Sequence, residues 1–181
     1  MSNLLEKKEI LDGKYTANIY VDDCMDVPIN NGNNVGEYIY CGKKYNFGNK
    51  KFKSIEEIDK YIKRKINIVF PWYMYEHSGI GFSLNNNSYP FNCPWDAGQI
   101  GYIVVPKKTA IKEWGKNFTQ EQVENYIKAE LMEYQHYINN DFLCISIQDE
   151  KGEIIDSCGA IIDADEFIEE FETKMKEKQN A

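Results

Sequence analysis

Three side chains of the types used in nucleophilic chemistry fall within one aromatic-rich stretch, 71–102: His77, Cys93 and Asp96. A thiol beside an imidazole that a carboxylate orients is the arrangement of a cysteine nucleophile. The local sequence argues against that use. Cys93 precedes Pro94, and nothing in the sequence brings His77 within reach of it, so no catalytic residue is expected. Asp96, ahead of Ala97 and Gly98, reads as a structural device. Its carboxylate can accept from backbone N–H groups of its own turn, with Gly98 supplying a positive φ. Trp95 and Trp72 would then pack that turn onto a sheet. Ligand binding by the same motif (His77, Ser78, Cys93, Trp95, Asp96 and Gln99) is the other reading.

His77, His136 and the cysteines do not form a metal box, because no Cys-x-x-Cys or His-x-x-x-His pair exists. No phosphate loop, nucleophile elbow or dinucleotide fingerprint is complete, so neither metal nor cofactor is expected. The 5 cysteines, at 24, 41, 93, 144 and 158, are odd in number and scattered. That pattern suits free thiols in a cytosolic protein, with Cys144 and Cys158 as small buried residues on strands. No apolar run reaches the roughly 20 residues that span a bilayer, and the N-terminus lacks the apolar core of a secretory signal.

Charge is unevenly spread. Residues 43–65 hold 9 Lys or Arg against 3 acids, interleaved with Tyr45, Phe47, Phe52 and Tyr61. Aromatics among cations can stack on unpaired nucleobases, which makes Lys43, Lys44, Lys60, Lys63, Arg64 and Lys65 a candidate nucleic-acid surface; a solvated helix and loop is the plainer alternative. Residues 119–181 carry 16 acids against 5 Lys, a net −11, within a chain of net −8. An acidic segment is ill suited to contact phosphates itself. Glu121, Glu124, Asp163, Asp165, Glu166, Glu169, Glu170 and Glu172 could instead mimic phosphate charge and seat against a basic groove, provided they share a surface.

The elements that must position these residues follow from periodicity. Residues 1–12 suggest a frayed turn of helix. Alternation with β-branched and aromatic residues predicts strands at 15–21, 36–41, 66–75, 82–84, 99–105, 142–147 and 154–161. Pro71 should mark a bulge or an edge, Lys43-Lys44 a hairpin-like tip, 85–87 a loop, and 149–152 the turn of a hairpin. Ser54-x-x-Glu57 and Thr119-x-x-Gln122 are capping boxes opening helices at about 55–65 and 120–138. In the first, Ile55, Ile58, Tyr61 and Ile62 share a face. In the second, Val123, Tyr126, Ile127, Leu131, Tyr134 and Ile138 do so, with Glu121, Glu124, Glu130 and Glu133 outside it. Asp163 caps a last helix at about 164–177. The order predicts an α+β fold, a mostly antiparallel sheet with about three helices packed against one face, in a single domain over 1–181 whose acidic C-terminal part is 119–181.

The central stretch, Tyr73–Tyr75, His77-Ser78-Gly79 and Cys93 through Tyr102, resembles a family of phage and mobile-element proteins from low-GC Gram-positive bacteria. The family motif reads His-Ser-Gly, then Cys-Pro-Trp-Asp-Ser-Gly-Gln-x-Gly-aromatic. Flanking blocks are similar: Asn33-Asn34-Val35-Gly36, Tyr45-Asn46-Phe47-Gly48, Tyr134 to Tyr137, and Asp156-Ser157-Cys158. The resemblance covers about 15–160, leaving out the last helix. This chain departs from the pattern at Ala97, where the family has Ser, at Asn33, where it has Asp, and near Gly42, where it has His. Losing three polar side chains while keeping the frame implies that they are not a catalytic set. The resemblance implies an inhibitor of a host nucleic-acid defence system, in particular an anti-CRISPR protein that binds a Cas9-type ribonucleoprotein in the bacterial cytosol.

Overall fold

The computed structural model describes residues 4–30, 34–84, 93 and 95–179. Asn33, Pro94 and the expected loop at 85–87 lie outside these. The fold is α+β, with four helices and two mostly antiparallel sheets among the described residues. The chain divides into two compact units, one made of 1–25 with 140–181, the other of 26–139. The second is therefore inserted between two halves of the first. No helix among the described residues is long and apolar enough to cross a membrane.

The first unit is a four-stranded antiparallel sheet in the order β1 (Leu4–Ile10), β2 (Tyr15–Val21), β8 (Leu143–Asp149), β9 (Ile154–Ile161), covered on one face by α4 (Ala164–Gln179). Ala17, Ile19, Ile145 and Ile147 pack against Ala164, Ile168 and Phe171. Asp163 caps α4, its Oδ1 accepting from the N–H of Asp165 at 2.9 Å and of Glu166 at 3.3 Å. Residues 4–10 form an edge strand rather than a turn of helix. Leu11, Asp12 and Gly13 all have positive φ and fold β1 back on β2, so the Asp-Gly pair is the hairpin signal. The expected 149–152 turn joins β8 to β9, with Asp149 Oδ1 accepting from the N–H of Lys151 and of Glu153, both at 2.9 Å. Cys144 and Cys158 lie on these strands, half-buried, and all five cysteines are free thiols.

The second unit holds a five-stranded sheet in the order β4 (Lys50–Phe52), β3 (Glu37–Cys41), β7 (Ala97–Pro106), β5 (Asn67–Glu76), β6 (Ile80–Leu84). Its central strands are apolar on both faces, and helices cover both, not one. Tyr38, Phe70, Trp72, Ile103 and Val105 face α3 (Gln120–Asn139) through Val123, Ile127, Leu131 and Tyr134. Ile39, Tyr102 and Val104 face α1 (Ile55–Tyr61) through Ile58 and, just past the helix, Ile62. Such uninterrupted apolar runs are what a strand covered on both sides requires. Tyr38, Phe47, Trp72, Phe82 and Tyr134 form the aromatic centre, with Tyr38 edge-on to Trp72 at 5.4 Å and Phe82 stacked on Tyr134 at 5.7 Å.

The structure departs from several of these expectations. The 43–44 segment is not a hairpin tip, because β3 and β4 are parallel and 42–49 is their crossover. Asn49 ties that crossover down: its N–H donates to the Tyr38 carbonyl at 2.8 Å, and its Oδ1 accepts from the Tyr38 N–H at 2.8 Å. α1 ends at Tyr61, with Ile62 extended at its C-cap, so Lys63, Arg64 and Lys65 lie beyond the helix. Tyr61 and Tyr126 are each 43% exposed instead of facing the core; Tyr126 packs edge-on to Trp114. A fourth helix, α2 (Lys107–Trp114), follows Pro106 and stops at Gly115, φ 81. Proline before the first turn and glycine after the last is its signal. Both capping boxes are present. Ser54 Oγ accepts from the Glu57 N–H at 3.4 Å, and Thr119 and Gln122 bond reciprocally at 3.1 and 2.9 Å. Pro71 sits just before the β5–β6 ladder begins, next to the register shift at Trp72/Tyr73.

Glu130 is the largest departure on α3. It is 7% exposed rather than on the outer face. Its Oε1 accepts from the Val35 N–H at 2.8 Å and its Oε2 from the Tyr38 hydroxyl at 3.1 Å, pinning the entry to β3. Burial pushes the carboxyl above its ordinary value, against the opposing effect of these donors. A carboxyl raised in the folded state holds its proton more tightly there than when unfolded. The stability this gives is present below the ordinary value of 4.5 and is lost as pH rises through the raised one. Glu130→Gln is therefore expected to flatten the fall in urea midpoint as pH rises from the ordinary carboxyl value through the raised one. Glu130→Ala leaves buried donors unpaired and should cost about 3 kcal/mol. An unchanged pH profile in Glu130→Gln would refute the buried-charge assignment.

Candidate functional site

The motif residues meet where strand register requires it. Tyr75 pairs with Ala97, which sets Asp96 beside Glu76, and the Glu76 N–H donates to the Asp96 carbonyl at 2.8 Å. His77, Ser78 and Gly79 make the tight turn from β5 into β6, closed by the His77 N–H donating to the Gly79 carbonyl at 3.2 Å. The structure thus brings His77, Cys93 and Asp96 together, which spacing alone does not foresee. Cys93 Sγ donates to Asp96 Oδ2 at 3.3 Å, and His77 Nδ1 lies 3.5 Å from the same oxygen.

The order of contacts is thiol, carboxylate, imidazole. A cysteine nucleophile needs the imidazole in the middle, accepting the thiol proton while the carboxylate orients the ring. Here Asp96 occupies the middle and clasps the two loops to each other. Among the described residues no group of three or more His, Cys, Asp or Glu could hold a metal ion. Gly98 is not at positive φ; it is a strand residue of β7 paired with Met74. Asp96 braces the turn through side chains, not through the backbone pattern expected of it. Gln99, also on β7, donates through Nε2 to the Gly101 carbonyl at 3.1 Å, and Ser78 is exposed on the turn.

Trp95 reverses its expectation. Trp72 is fully buried in the sheet core, whereas Trp95 is 92% exposed. The indole therefore stands out from a turn whose next residue is held by two side-chain contacts.

No protein-family model, curated protein or solved structure significantly matches the chain.

A second set of contacts flanks the clasp. Glu76, the residue before His77, accepts from both the Lys44 ammonium and the Tyr45 hydroxyl. Lys44 first and Tyr45 second hold the Glu76 carboxyl below its ordinary range. Lys44 is thereby committed to an ion pair within its own unit. On the far side, α3 serves the β6 backbone, with Asn139 Oδ1 accepting from the Ile80 N–H at 2.9 Å and Gln135 Oε1 from the Phe82 N–H at 2.7 Å. Sequence reasoning misses both; the polar pair at i, i+4 on α3 is the available signal.

The acidic residues are split between the units. Glu121 and Glu124 belong to α3 of the second unit, and Glu124 pairs with Lys128 at 2.8 Å. Asp163, Asp165, Glu166, Glu169, Glu170 and Glu172 belong to α4 or its cap. Asp165 pairs with Lys8 at 2.5 Å, Glu170 with Lys174 at 3.8 Å and Glu172 with Lys176 at 3.1 Å. Glu166 and Glu169 are exposed and make no ion pair among the described residues. Counted by unit, the first carries 17 acidic against 7 basic side chains, net −10, and the second 12 against 14, net +2. The charge division thus follows the fold rather than a cut at residue 119. Of the basic candidates, Lys43, Lys60, Lys63 and Lys65 are exposed, and Arg64 pairs with Asp59 at 2.8 Å while lying over the Tyr102 ring.

Proposed function

We propose that this is a binding protein of a phage or mobile element that inhibits a host nucleic-acid defence effector, most specifically a Cas9-type ribonucleoprotein in the bacterial cytosol. The observation that carries the binding reading is Trp95. An exposed indole on a side-chain-braced turn has the character of an interface anchor, since buried aromatic anchors dominate protein-protein affinity. The contact order at Asp96 supports docking over catalysis. The target class comes from the resemblance of the central motif. Cas9-type effectors present positively charged channels for nucleic acid, and a unit of net −10 complements such a channel.

The test is DNA cleavage by a purified Cas9–guide complex titrated with this protein, beside a pull-down of the complex. Dose-dependent loss of cleavage with a stable complex is expected. No inhibition and no complex across several Cas9 orthologues would refute the target. The contribution of α4 is checked separately by Glu166→Lys/Glu169→Lys/Glu170→Lys. Steering by complementary charge acts mainly on association, so this variant should bind at least about tenfold more slowly at low salt. It should converge on the parent protein as salt is raised. An unchanged on-rate at low salt would remove α4 from the interface.

A further inference from the structure

Gly42, Lys43, Lys51, Phe52, Lys53 and Glu57 line an open hollow of about 620 Å³ beside β4, the edge strand of the second unit. We propose that this hollow binds single-stranded nucleic acid, a phosphate resting between Lys43 and Lys53 and a base against Phe52. The site requires no effector and stands apart from the inhibitor reading; either can fail without the other.

Charge gives the first argument. Three lysines line the hollow with one carboxylate, and that carboxylate is in use. Glu57 Oε2 accepts the Lys53 backbone N–H at 2.8 Å. Neither Lys43 nor Lys53 makes an ion pair among the described residues. Lys51 lies over the Tyr40 ring at 5.6 Å and reaches the Tyr45 carbonyl at 3.5 Å, which leaves its charge without a counter-ion. Cations gathered without acidic partners are positioned for a ligand that brings negative charge.

Shape and surface give the second. Phe52 is half-buried, packed against the Ile39–Ile58 cluster and 5.1 Å from the Tyr61 ring, with the Lys50 ammonium 5.4 Å from its own centroid, so the part of it that lines the hollow is held in place as a stacking surface must be. The positive track also extends past one phosphate. Lys50, the first residue of β4, sits over the Tyr61 ring at 3.9 Å, carrying the charge from the hollow to the end of α1, where Lys60 is exposed. A track of cations and aromatic rings fits a strand better than a lone nucleotide. It also revises the sequence-level surface: Lys44 is withdrawn to Glu76, and Lys51 and Lys53 enter.

The test is fluorescence anisotropy with labelled oligothymidylate and oligouridylate of about a dozen nucleotides over a salt series. Binding that weakens with salt is expected. Lys43→Glu/Lys53→Glu should weaken it at least about tenfold and lower the log–log salt slope by about 0.7 for each phosphate no longer neutralised. Phe52→Leu, which keeps an apolar side chain in the core, should weaken it about fivefold or more. Lys108→Glu/Lys116→Glu makes the same charge change elsewhere on the unit and should have little effect. Circular dichroism melts check that each variant is folded. No binding of either strand at low salt, equal weakening in the control pair, or full binding by Lys43→Glu/Lys53→Glu would overturn the proposal. Competition by ATP as effective as unlabelled strand would overturn the strand as the ligand.

Discussion

Replacing Gly101 with alanine is expected to cost about 3 kcal/mol or more, or to prevent the second unit from folding. A Cβ at this position would lie 2.0 Å from the Ile39 carbonyl oxygen and 2.7 Å from the Tyr40 Cα. Both are backbone atoms of β3, which cannot rotate aside as a side chain does. Gly101 pairs with Tyr40 on one side and Trp72 on the other, so β7 is held from both flanks. Relief would require breaking the β3–β7 ladder at the strand that orders the whole sheet. Gly98 is the matched control: it lies on the same strand, and a Cβ there meets nothing within 4 Å. Gly98→Ala should stay within about 1 kcal/mol of the parent. Urea unfolding monitored by tryptophan fluorescence separates the two. Equal midpoints for both variants would mean that the close approach at Gly101 is wrong.

Trp95→Ala is the second large effect, and it should appear only in binding. At 92% exposure the indole contributes little to the folded state, so stability should change by no more than about 0.5 kcal/mol. Truncating an aromatic anchor at an interface costs about 2–4 kcal/mol, equivalent to roughly 30- to 1,000-fold in affinity. Inhibition by Trp95→Ala should therefore require a correspondingly higher dose, with complex formation weakened in parallel. Cys93→Ala, on the same turn, should keep most of the inhibition. The opposite pattern, inhibition abolished without Cys93 and intact without Trp95, would return the site to thiol chemistry.

Local signals in the sequence are legible where they are chemically complete. The capping oxygens of Ser54, Thr119 and Asp163 start helices as expected, and the 149–152 turn joins the hairpin predicted for it. The misses come from tertiary pairing. Periodicity places Glu130 away from the core because a carboxylate is normally costly to bury; only the fold shows the Val35 N–H and the Tyr38 hydroxyl that need an acceptor. The meeting of His77 with Asp96 depends on the β5–β7 register, which no spacing rule along the chain conveys. Tryptophan usually belongs in the core, and that habit misplaces Trp95. Its neighbour Asp96 carries the turn without it. Two of the misses are legible after all. Asp12-Gly13 announces the first hairpin, and Pro106 with Gly115 frames α2.

The nesting of one unit inside the other sets an order of synthesis. β2 leaves the ribosome early, but its partner β8 pairs Tyr15 with Asp149, so the inner strands of the first unit are separated by the whole of the second. By the time β8 is made, residues 26–139 are complete and can already have folded as a body. A folded insert shortens the effective loop that β2 and β8 must close, lowering the entropy cost of their pairing. The aromatic-centred unit thus acts as a template in time as well as a part of the structure. Lesions in it, at Gly101 above all, should reach the acidic unit too, by leaving β2 waiting longer for its partner with an unpaired edge exposed.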